Sequence, residues 1–427
     1  MSILIGTACL LFPFSTQSGH LPFIDALFTA TSAVCVTGLV VQDTAAAFSP
    51  VGKAIILLLF QLGGLGIMTF STLILLAAGK RISIKDRIMI QEDFHHQAPK
   101  DFKSLIKKIF LYSVAIEFFG GLSLFFCWLK DYGWLKAFTQ AVFHSVSAFC
   151  NAGFSLFSDS FVGFKGSIWI NTTLILLIVF GGLGFLVIDE LKGKFIGLVR
   201  REKTKLSLHA KLVLTLTLGL IIIPLIIFLL IEWGHSLEQF SEQERLFVSI
   251  FQIITPRTAG FNTMDLNSLS LPVVLLLMVL MFIGASPGST GGGVKTSTIG
   301  VVLAFLKSKM AARDTVSLYY RTLPLDLVTK AFTVVTLAVS IVFLSFFLLL
   351  LTQPEASFQE ILFEVFSAFG TVGLSLGLTP KLTAVGKIVI ILTMYIGRIG
   401  PLTLLYVFSR EKAYGRFEYA EEAVMIG

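Results

Sequence analysis

Four short segments of the chain end in a glycine and resemble one another. Aligned on that glycine, three carry phenylalanine ten residues earlier and a Ser-Ala pair six and five residues earlier, whereas the third carries isoleucine and Ile-Thr. Glycine adopts positive φ without a Cβ clash, so such a segment can turn successive carbonyl oxygens to one side. Rings of carbonyl oxygens can replace the hydration shell of a cation. The triplets predicted to present these oxygens are Val36-Thr37-Gly38, Asn151-Ala152-Gly153, Thr258-Ala259-Gly260 and Thr371-Val372-Gly373.

The spacing of these glycines reveals a fourfold internal repeat. They lie 115, 107 and 113 residues apart, which is typical of repeated structural units. A second glycine motif follows each of them after 24 to 28 residues: Gly63-Gly-Leu-Gly66, Gly181-Gly-Leu-Gly184 and Gly397-Arg-Ile-Gly400, with Gly284 alone in the third repeat. Each repeat is therefore predicted to contain an outer helix, a short re-entrant segment, a glycine turn and an inner helix. The expected units are residues 1–79, 80–194, 195–308 and 309–427.

The composition places these repeats in a membrane. Of the 427 residues, 55% are hydrophobic and only 14% are charged, against about 25% charged residues in soluble proteins. We therefore predict an all-α integral membrane protein, with four tandem units around one pseudo-fourfold pore. Several stretches reach the roughly 20 apolar residues that cross a bilayer, while the first, Ile3 to Phe14, is short. The long stretches are Ala54 to Ala78, Ile109 to Leu129, Ile168 to Ile188, Leu212 to Ile231, Leu271 to Leu306, Ala331 to Leu351 and Ile388 to Phe408.

The basic residues predict the orientation. The connections between units and the C-terminal tail together carry 23 of the 33 lysines and arginines. By the positive-inside rule these connections are cytoplasmic, so all four re-entrant segments enter from outside and the repeats are parallel. The net charge of +7 thus reflects topology, and we expect no nucleic-acid partner.

Two interpretations of the glycine turns are possible. Glycines in membrane helices often serve only to let helices pack closely. However, backbone that is neither helix nor closed barrel cannot face lipid, so four such turns at membrane depth should line water or ions. Asp43, Asp159 and Asp265 follow their glycines by five or six residues. They could concentrate cations at an outer vestibule, or they could be ordinary acids in solvated loops.

The third inner helix is predicted to be broken in mid-membrane, because five glycines and a proline interrupt its apolar run. A nucleotide-binding loop is excluded, since a Walker A motif places lysine directly after the second glycine and here Val294 intervenes. A serine nucleophile at Ser286, as in an intramembrane protease, is a remote alternative. The interpretation we favour is a gate, formed by Gly284, Ser286, Pro287, Gly288, Gly291, Gly292, Gly293 and Lys295 together with Arg398.

Lys295 and Arg398 lie inside apolar runs. Each would cost roughly 2.5 to 3.5 kcal/mol at a helix centre facing lipid, so each should face a wet cavity, an acid or a carbonyl partner. We expect Arg398 to project beneath the glycine turns and, with the broken segment, to oppose resting ion flow. The alternative is an arginine that reaches the membrane surface along its alkyl chain.

The segments CVTGL, CNAGF, TPRTAGF and FGTVGLSLGLTP, with MYIGRIGPLT near the end, resemble the Trk/Ktr/HKT superfamily of cation transporters, most of all the bacterial Ktr potassium-uptake membrane subunits. The resemblance covers nearly the whole chain. It implies a single pore in the plasma membrane, one selectivity glycine per loop and an intramembrane gating loop. Sodium-selective plant relatives tend to carry serine in the first loop, so the four glycines here favour potassium.

The resemblance also implies partners. Ktr membrane subunits resemble channels that form homodimers on a cytosolic ring of nucleotide-binding regulatory subunits, for which the basic connections and the tail Arg410 to Gly427 offer a docking surface. We therefore expect a transporter rather than an enzyme, with K+ as the transported ion and no nucleotide site in this chain. The alternative is a Na+-coupled K+ symporter, or a Na+-permeable transporter of the same fold, that uses the broken helix for alternating access.

Overall fold

The fold is described from a computed structural model, and the residues described are 1–66, 102–202 and 204–401. Several sequence predictions therefore lie outside the described residues. These are most of the basic connection between units one and two, the C-terminal ends of the first and last predicted long helices, and the tail predicted as a docking surface.

The described chain is mainly helical and repeats the predicted order of outer helix, re-entrant pore helix and inner helix four times. Short additions are a helical turn at Thr44–Ala47 and a two-stranded antiparallel hairpin, Ser317–Leu318 with Arg321–Thr322. In chain order, the outer helices are Ser2–Leu11, Phe102–Tyr132, Leu208–Glu232 and Leu325–Thr352. The pore helices are Phe23–Val34, Trp134–Phe149, Glu242–Ile254 and Phe358–Gly370, and the inner helices are Pro50–Leu65, Ile168–Leu183, Leu271–Phe282 and Ala384–Ile399.

The outer helices of units two, three and four form the wall toward the lipid. In the described part of the chain, they are the three single helices long and apolar enough to cross a membrane. Their outward faces carry large apolar side chains such as Phe119, Leu230 and Phe343, which are about two-thirds or more exposed in the isolated chain. Lipid tails can cover such an apolar surface at no cost in free energy, whereas its exposure to water would be unfavourable.

The structure corrects one predicted span and confirms the predicted break in another. Ile168 to Ile188 is not one helix, because the inner helix of unit two bends by 107° between Leu183 and Phe185, where a second segment, Phe185–Val199, begins. Leu271 to Leu306 is interrupted by residues 283–295, after which Thr296–Met310 continues as a helix. If the bent pair Ile168–Leu183 and Phe185–Val199 is counted as one span, the described residues contain up to four spans.

A glycine ends the described inner helix in units one, two and four. Gly66, Gly184 and Gly400 have φ of 83°, 90° and 92° with extended ψ, a conformation that a side chain disfavours strongly. Another glycine lies three residues before each of these. A Cβ added to that earlier glycine would collide with a carbonyl oxygen at the C-terminal end of the pore helix in the same unit. The repeated glycine motif thus lets each inner helix lie directly against its pore helix. The colliding pairs are Gly63 with Val34, Gly181 with Phe149, and Gly397 with Phe369.

The units share their hydrophobic cores rather than folding separately. One cluster joins units one and two and extends to Phe251 and Phe261 of unit three, and another joins Phe28 and Leu39 of unit one to unit four. A buried ion pair also connects the first and last units, with Lys387 Nζ 2.6 Å from Asp25 Oδ1. The four repeats therefore close into a circle.

Candidate functional site

Three of the four pore helices end in the same backbone turn. In unit two, the N–H of Asn151 donates to the carbonyl of Ala148 at 3.2 Å, and the N–H of Ala152 donates to the carbonyl of Ser147 at 2.7 Å. These bonds, with Asn151 in the left-handed region, form a Schellman cap. The repeated Ser-Ala pair thus supplies the two acceptor carbonyls. The same turn occurs at Ser32, Ala33, Val36 and Thr37 in unit one, and at Ser367, Ala368, Thr371 and Val372 in unit four.

The third pore helix ends differently, as its sequence does. The N–H groups of Ala259 and Gly260 both point to the carbonyl of Thr255, at 2.9 and 3.4 Å. The hydroxyl of Thr255 donates to the carbonyl of Phe261 at 2.5 Å, just as Ser147 donates to Phe154 at 2.8 Å in unit two. Thr255 lies one position after the place of the missing serine in the alignment. It therefore supplies the hydroxyl that the serine supplies in unit two.

The first residue of every triplet has positive φ without being glycine. Val36, Thr258 and Thr371 lie at 57°, 72° and 50°, and Asn151 lies at 58°. Such a conformation is a genuine outlier for a β-branched residue and costs of order 1–3 kcal/mol. The sequence pattern predicted positive φ only at the glycines, so it gave no sign of these residues. Backbone held in this way at all four triplets is typical of a functional site.

The four triplet glycines meet in one ring. A Cβ on Gly38 would lie 2.5 Å from the carbonyl oxygen of Ala152, and a Cβ on Gly153 would lie 3.1 Å from that of Ala259. The same relation continues around the ring, so a Cβ on Gly38, Gly260 or Gly373 would strike backbone, and one on Gly153 would crowd it. We call the four triplets together the loop ring. Its approaches follow chain order and close on themselves: Gly38 to Ala152 and Gly153, Gly153 to Ala259 and Gly260, Gly260 to Val372 and Gly373, and Gly373 to Thr37 and Gly38.

Residues 283–295 of unit three, which we call the intramembrane loop, cross to the other units. Backbone hydrogen bonds connect it to the neighbouring units. Gly284 N–H donates to Val294 O at 3.0 Å within the loop. The bonds to other units run from Ser286 N–H to Gly182 O at 3.0 Å, from Thr290 N–H to Gly181 O at 3.2 Å, from Gly293 N–H to Gly397 O at 3.2 Å, and from Phe185 N–H to Gly288 O at 2.9 Å.

The intramembrane loop lies directly against the loop ring. The N–H of Gly292 donates to Thr371 Oγ1 at 3.1 Å, and a Cβ on Gly291 would collide with Thr258 Oγ1. Both threonines are the first residues of their triplets. The loop therefore occupies the space next to the inner-helix side of the ring, and its glycines allow the close approach.

Lys295 and Arg398, both partly buried, contact carbonyl oxygens. Lys295 Nζ donates to Gly291 O at 2.6 Å within the intramembrane loop. Arg398 donates through Nη1 to Thr290 O of that loop and through Nη2 to Gly63 O of the first inner helix. The guanidinium thus links units four, three and one beside the loop ring, rather than reaching toward the membrane surface.

Two other predicted groups have simple structural surroundings. The hydroxyl of Ser286 is buried and accepts from Thr296 Oγ1 at 3.0 Å. All three predicted vestibule aspartates are exposed, but Asp43 and Asp265 also accept hydrogen bonds from the N–H groups of Ala45 and Asn267, so they cap local turns. Exposure is compatible with an outer vestibule, and the caps give two of these acids a structural role as well.

The loop ring, its strained backbone and its four-unit frame can be compared with known proteins. The model of the TrkH cation transport protein family matches residues 3–417. This chain belongs to that family. TrkH-family proteins are membrane transporters, which agrees with the predicted superfamily, fold class and cell-membrane location and with the expectation of a transporter rather than an enzyme.

Individual relatives align with this chain over its whole length. The Ktr system potassium uptake protein B of Bacillus subtilis is 40% identical over 430 residues, which cover 100% of this chain and 94% of the relative. The potassium/sodium uptake protein NtpJ of Enterococcus hirae is 38% identical over 432 residues, with coverages of 100% and 94%. The crystal structure of the potassium transporter TrkH from Vibrio parahaemolyticus has the same fold, with a TM-score of 0.73, 20% identity and coverages of 95% and 83%.

Proposed function

We propose that this TrkH-family protein takes up K+ across the cell membrane through the loop ring, along the electrochemical gradient of the ion. The observation that carries the proposal is the closed circle of four glycines, each pressed against the carbonyl that precedes the glycine of the next unit. Carbonyl oxygens on four sides can replace water around an ion of potassium size. The names of relatives 38–40% identical to this chain point to the same ion.

The intramembrane loop is the proposed gate. It lies next to Thr258 and Thr371 of the loop ring, and Arg398 holds it to the first inner helix. A positive charge and a backbone segment at this position oppose the passage of a cation by electrostatic repulsion and by volume. Movement of the loop, with loss of the Arg398 contact to Thr290, would open the path.

Sodium is the second candidate ion. One relative is named as a potassium/sodium uptake protein, so coupling to Na+ or permeation of Na+ is a specific alternative. The glycine in all four loops favours K+, in line with the family pattern described above. Buried Thr37 Oγ1 and Asn151 Oδ1, which have no hydrogen-bond partner in the described part of the chain, are oxygens that either cation or its water could contact.

The proposed assembly is a homodimer, in lipid, on a cytosolic ring of nucleotide-binding regulatory subunits. Relatives from two bacteria are named as components of a Ktr system, which supports a multi-component transporter. By the positive-inside rule, the basic connections between units lie on the cytosolic side, which supports docking of such a ring there.

The test is tracer uptake into vesicles that contain the purified protein, with increasing Na+ as competitor. We expect K+ uptake that Na+ inhibits weakly in the wild type, and loss of that preference in Gly260→Ser, whose Cβ would strike Val372 O. Gly219→Ser is the matched control, because a Cβ on this outer-helix glycine meets nothing within 4 Å. A wild type that does not prefer K+, or a Gly260→Ser variant that keeps the preference, would overturn the proposal.

A further inference from the structure

Two buried ionisable side chains occupy the same position in different pore helices. His144 of unit two and Glu364 of unit four each lie nine residues before the glycine of their triplet, directly after the repeated phenylalanine. Both are fully buried. The corresponding residues of units one and three are Thr29 and Phe251. The four-segment alignment alone does not single out this position, because its residue types differ.

Glu364 holds the segment that leaves the loop ring in unit four. The hydroxyl of Ser375, two residues after Gly373, donates to Glu364 Oε2 at 2.7 Å, and the hydroxyl of Thr379 donates to Glu364 Oε1. Each carboxylate oxygen thus receives one hydroxyl. The carboxylate therefore connects the pore helix to two points on the outgoing segment.

His144 makes the equivalent connection in unit two. The backbone N–H of Leu156 donates to His144 Nε2 at 3.1 Å, and Ser155 Oγ lies 3.2 Å from the same nitrogen. Because Nε2 accepts, the ring is neutral and Nδ1–H donates to Gln140 O at 2.8 Å. Ser155 and Ser375 are both two residues after their triplet glycines, and only in these two units is the triplet glycine followed by x-Ser-Leu.

The outgoing segments of units one and three are held in other ways. In unit three, Asn262 is anchored to the neighbouring unit, since its N–H donates to Ser160 Oγ at 3.2 Å and its carbonyl accepts from Phe161 N–H at 3.0 Å. In unit one, the residue two after the glycine is Val40, which packs in the hydrophobic core. Units two and four are diagonal in the ring, because Gly153 and Gly373 each contact Gly38 and Gly260 but not each other.

We propose that Glu364 and His144 are positioning residues that fix the outgoing segments of two diagonal units and thereby set the carbonyl spacing, and hence the ion selectivity, of the loop ring. This inference rests on the proposed function. Units two and four are braced by an ionisable side chain of their own pore helix, whereas unit one is held by packing of Val40 and by the Gln42–Asp25 hydrogen bond, and unit three by the contacts of Asn262 with unit two. Loss of an internal brace should widen the ring in one direction and weaken the distinction between K+ and a smaller ion.

The test measures the ratio of K+ to Na+ uptake in reconstituted vesicles. Glu364→Gln keeps the side-chain shape but offers an oxygen to only one of the two hydroxyls, and Ser375→Ala removes one donor while leaving the carboxylate. We expect each to lower the ratio about threefold, since the loss of one hydrogen bond corresponds to a change of about that size in free energy. Ser375→Thr, which keeps the hydroxyl, should retain the ratio.

The controls separate a brace from general stability. Glu360→Gln is the same substitution one turn earlier on the same helix, where the carboxylate caps Ser357 at the helix start. It should lower the melting temperature and leave the ratio unchanged. His144→Phe fills the same aromatic cluster without an acceptor for Leu156 and should lower the ratio, as Glu364→Gln does.

The outcomes are distinct. If Glu364→Gln does not fold, Ser375→Ala against Ser375→Thr decides. A wild-type ratio in Ser375→Ala and His144→Phe would overturn the inference while leaving the proposed function intact. A wild type without K+ preference would instead refute the proposed function itself.

Discussion

Replacement of Arg398 by alanine should open the proposed gate. The guanidinium donates to Thr290 O in the intramembrane loop and to Gly63 O in the first inner helix. A hydrogen bond from a charged donor contributes about 1.5–3 kcal/mol. Arg398 is only partly buried, so water can replace part of this, and we take about 2 kcal/mol in total as the preference for the closed loop.

A loss of about 2 kcal/mol shifts a two-state equilibrium by roughly 30-fold. If the loop is mainly closed in the isolated protein, the ion flux of Arg398→Ala should rise by a comparable factor until the open state dominates. Arg398→Lys keeps the charge but loses the planar fork that bonds two carbonyls at once, so its flux should be intermediate.

The assay is rubidium flux from vesicles whose membrane contains the purified protein. The flux is normalised to the amount of folded protein, as measured by size-exclusion chromatography. Concentration dependence of the flux separates the gate from the loop ring, because a gate changes the maximal rate more than the apparent affinity. Equal maximal rates for the wild type, Arg398→Ala and Arg398→Lys would refute the assignment of Arg398 to the gate.

Two further predictions concern the frame and the outer mouth. Asp25→Asn leaves Lys387 buried without its carboxylate, 2.6 Å away in the wild type, and should destabilise the protein by about 3–5 kcal/mol in thermal unfolding in detergent, whereas the double variant Asp25→Leu/Lys387→Met should regain most of the loss. If the single and double variants melt together, the ion pair does not hold units one and four. Replacing exposed Asp43, Asp159 and Asp265 by asparagine should reduce K+ uptake several-fold at 0.01 M salt and little at 0.15 M, because screening over about 8 Å removes the attraction. An equal loss at both salt concentrations would indicate damaged caps rather than lost charge.

The sequence was sufficient for the features that repeat. Four aligned glycines, the Ser-Ala pairs and the downstream glycine motif predicted the unit order, and the structure shows why these types recur: Ser147 and Ala148 cap the pore helix, and Gly181 lies against Phe149. The departure of the third segment was also visible, although its structural answer, Thr255 in place of the serine, was not.

Features that depend on contacts between units could not be predicted. Positive φ at Thr258 and Thr371 is disfavoured for β-branched residues, so the residue types gave no signal of it. The bend at Gly184 occurs where the inner helix meets the intramembrane loop, since Phe185 bonds to Gly288. Arg398 was expected to find a polar partner, but its two carbonyls belong to units one and three, which no local pattern reveals.

The closure between the last and first units has a consequence for biosynthesis. Gly373 reaches Gly38 only after 335 further residues have been made. At about 5–20 residues per second, a ribosome needs roughly 15 to 70 s for that length. During this interval up to three loops with strained, polar backbone lie in the bilayer without the fourth unit that completes the ring. Shielding by the insertion machinery or by trapped water must cover them until the fourth quarter arrives, so truncated chains should be prime substrates for membrane quality control.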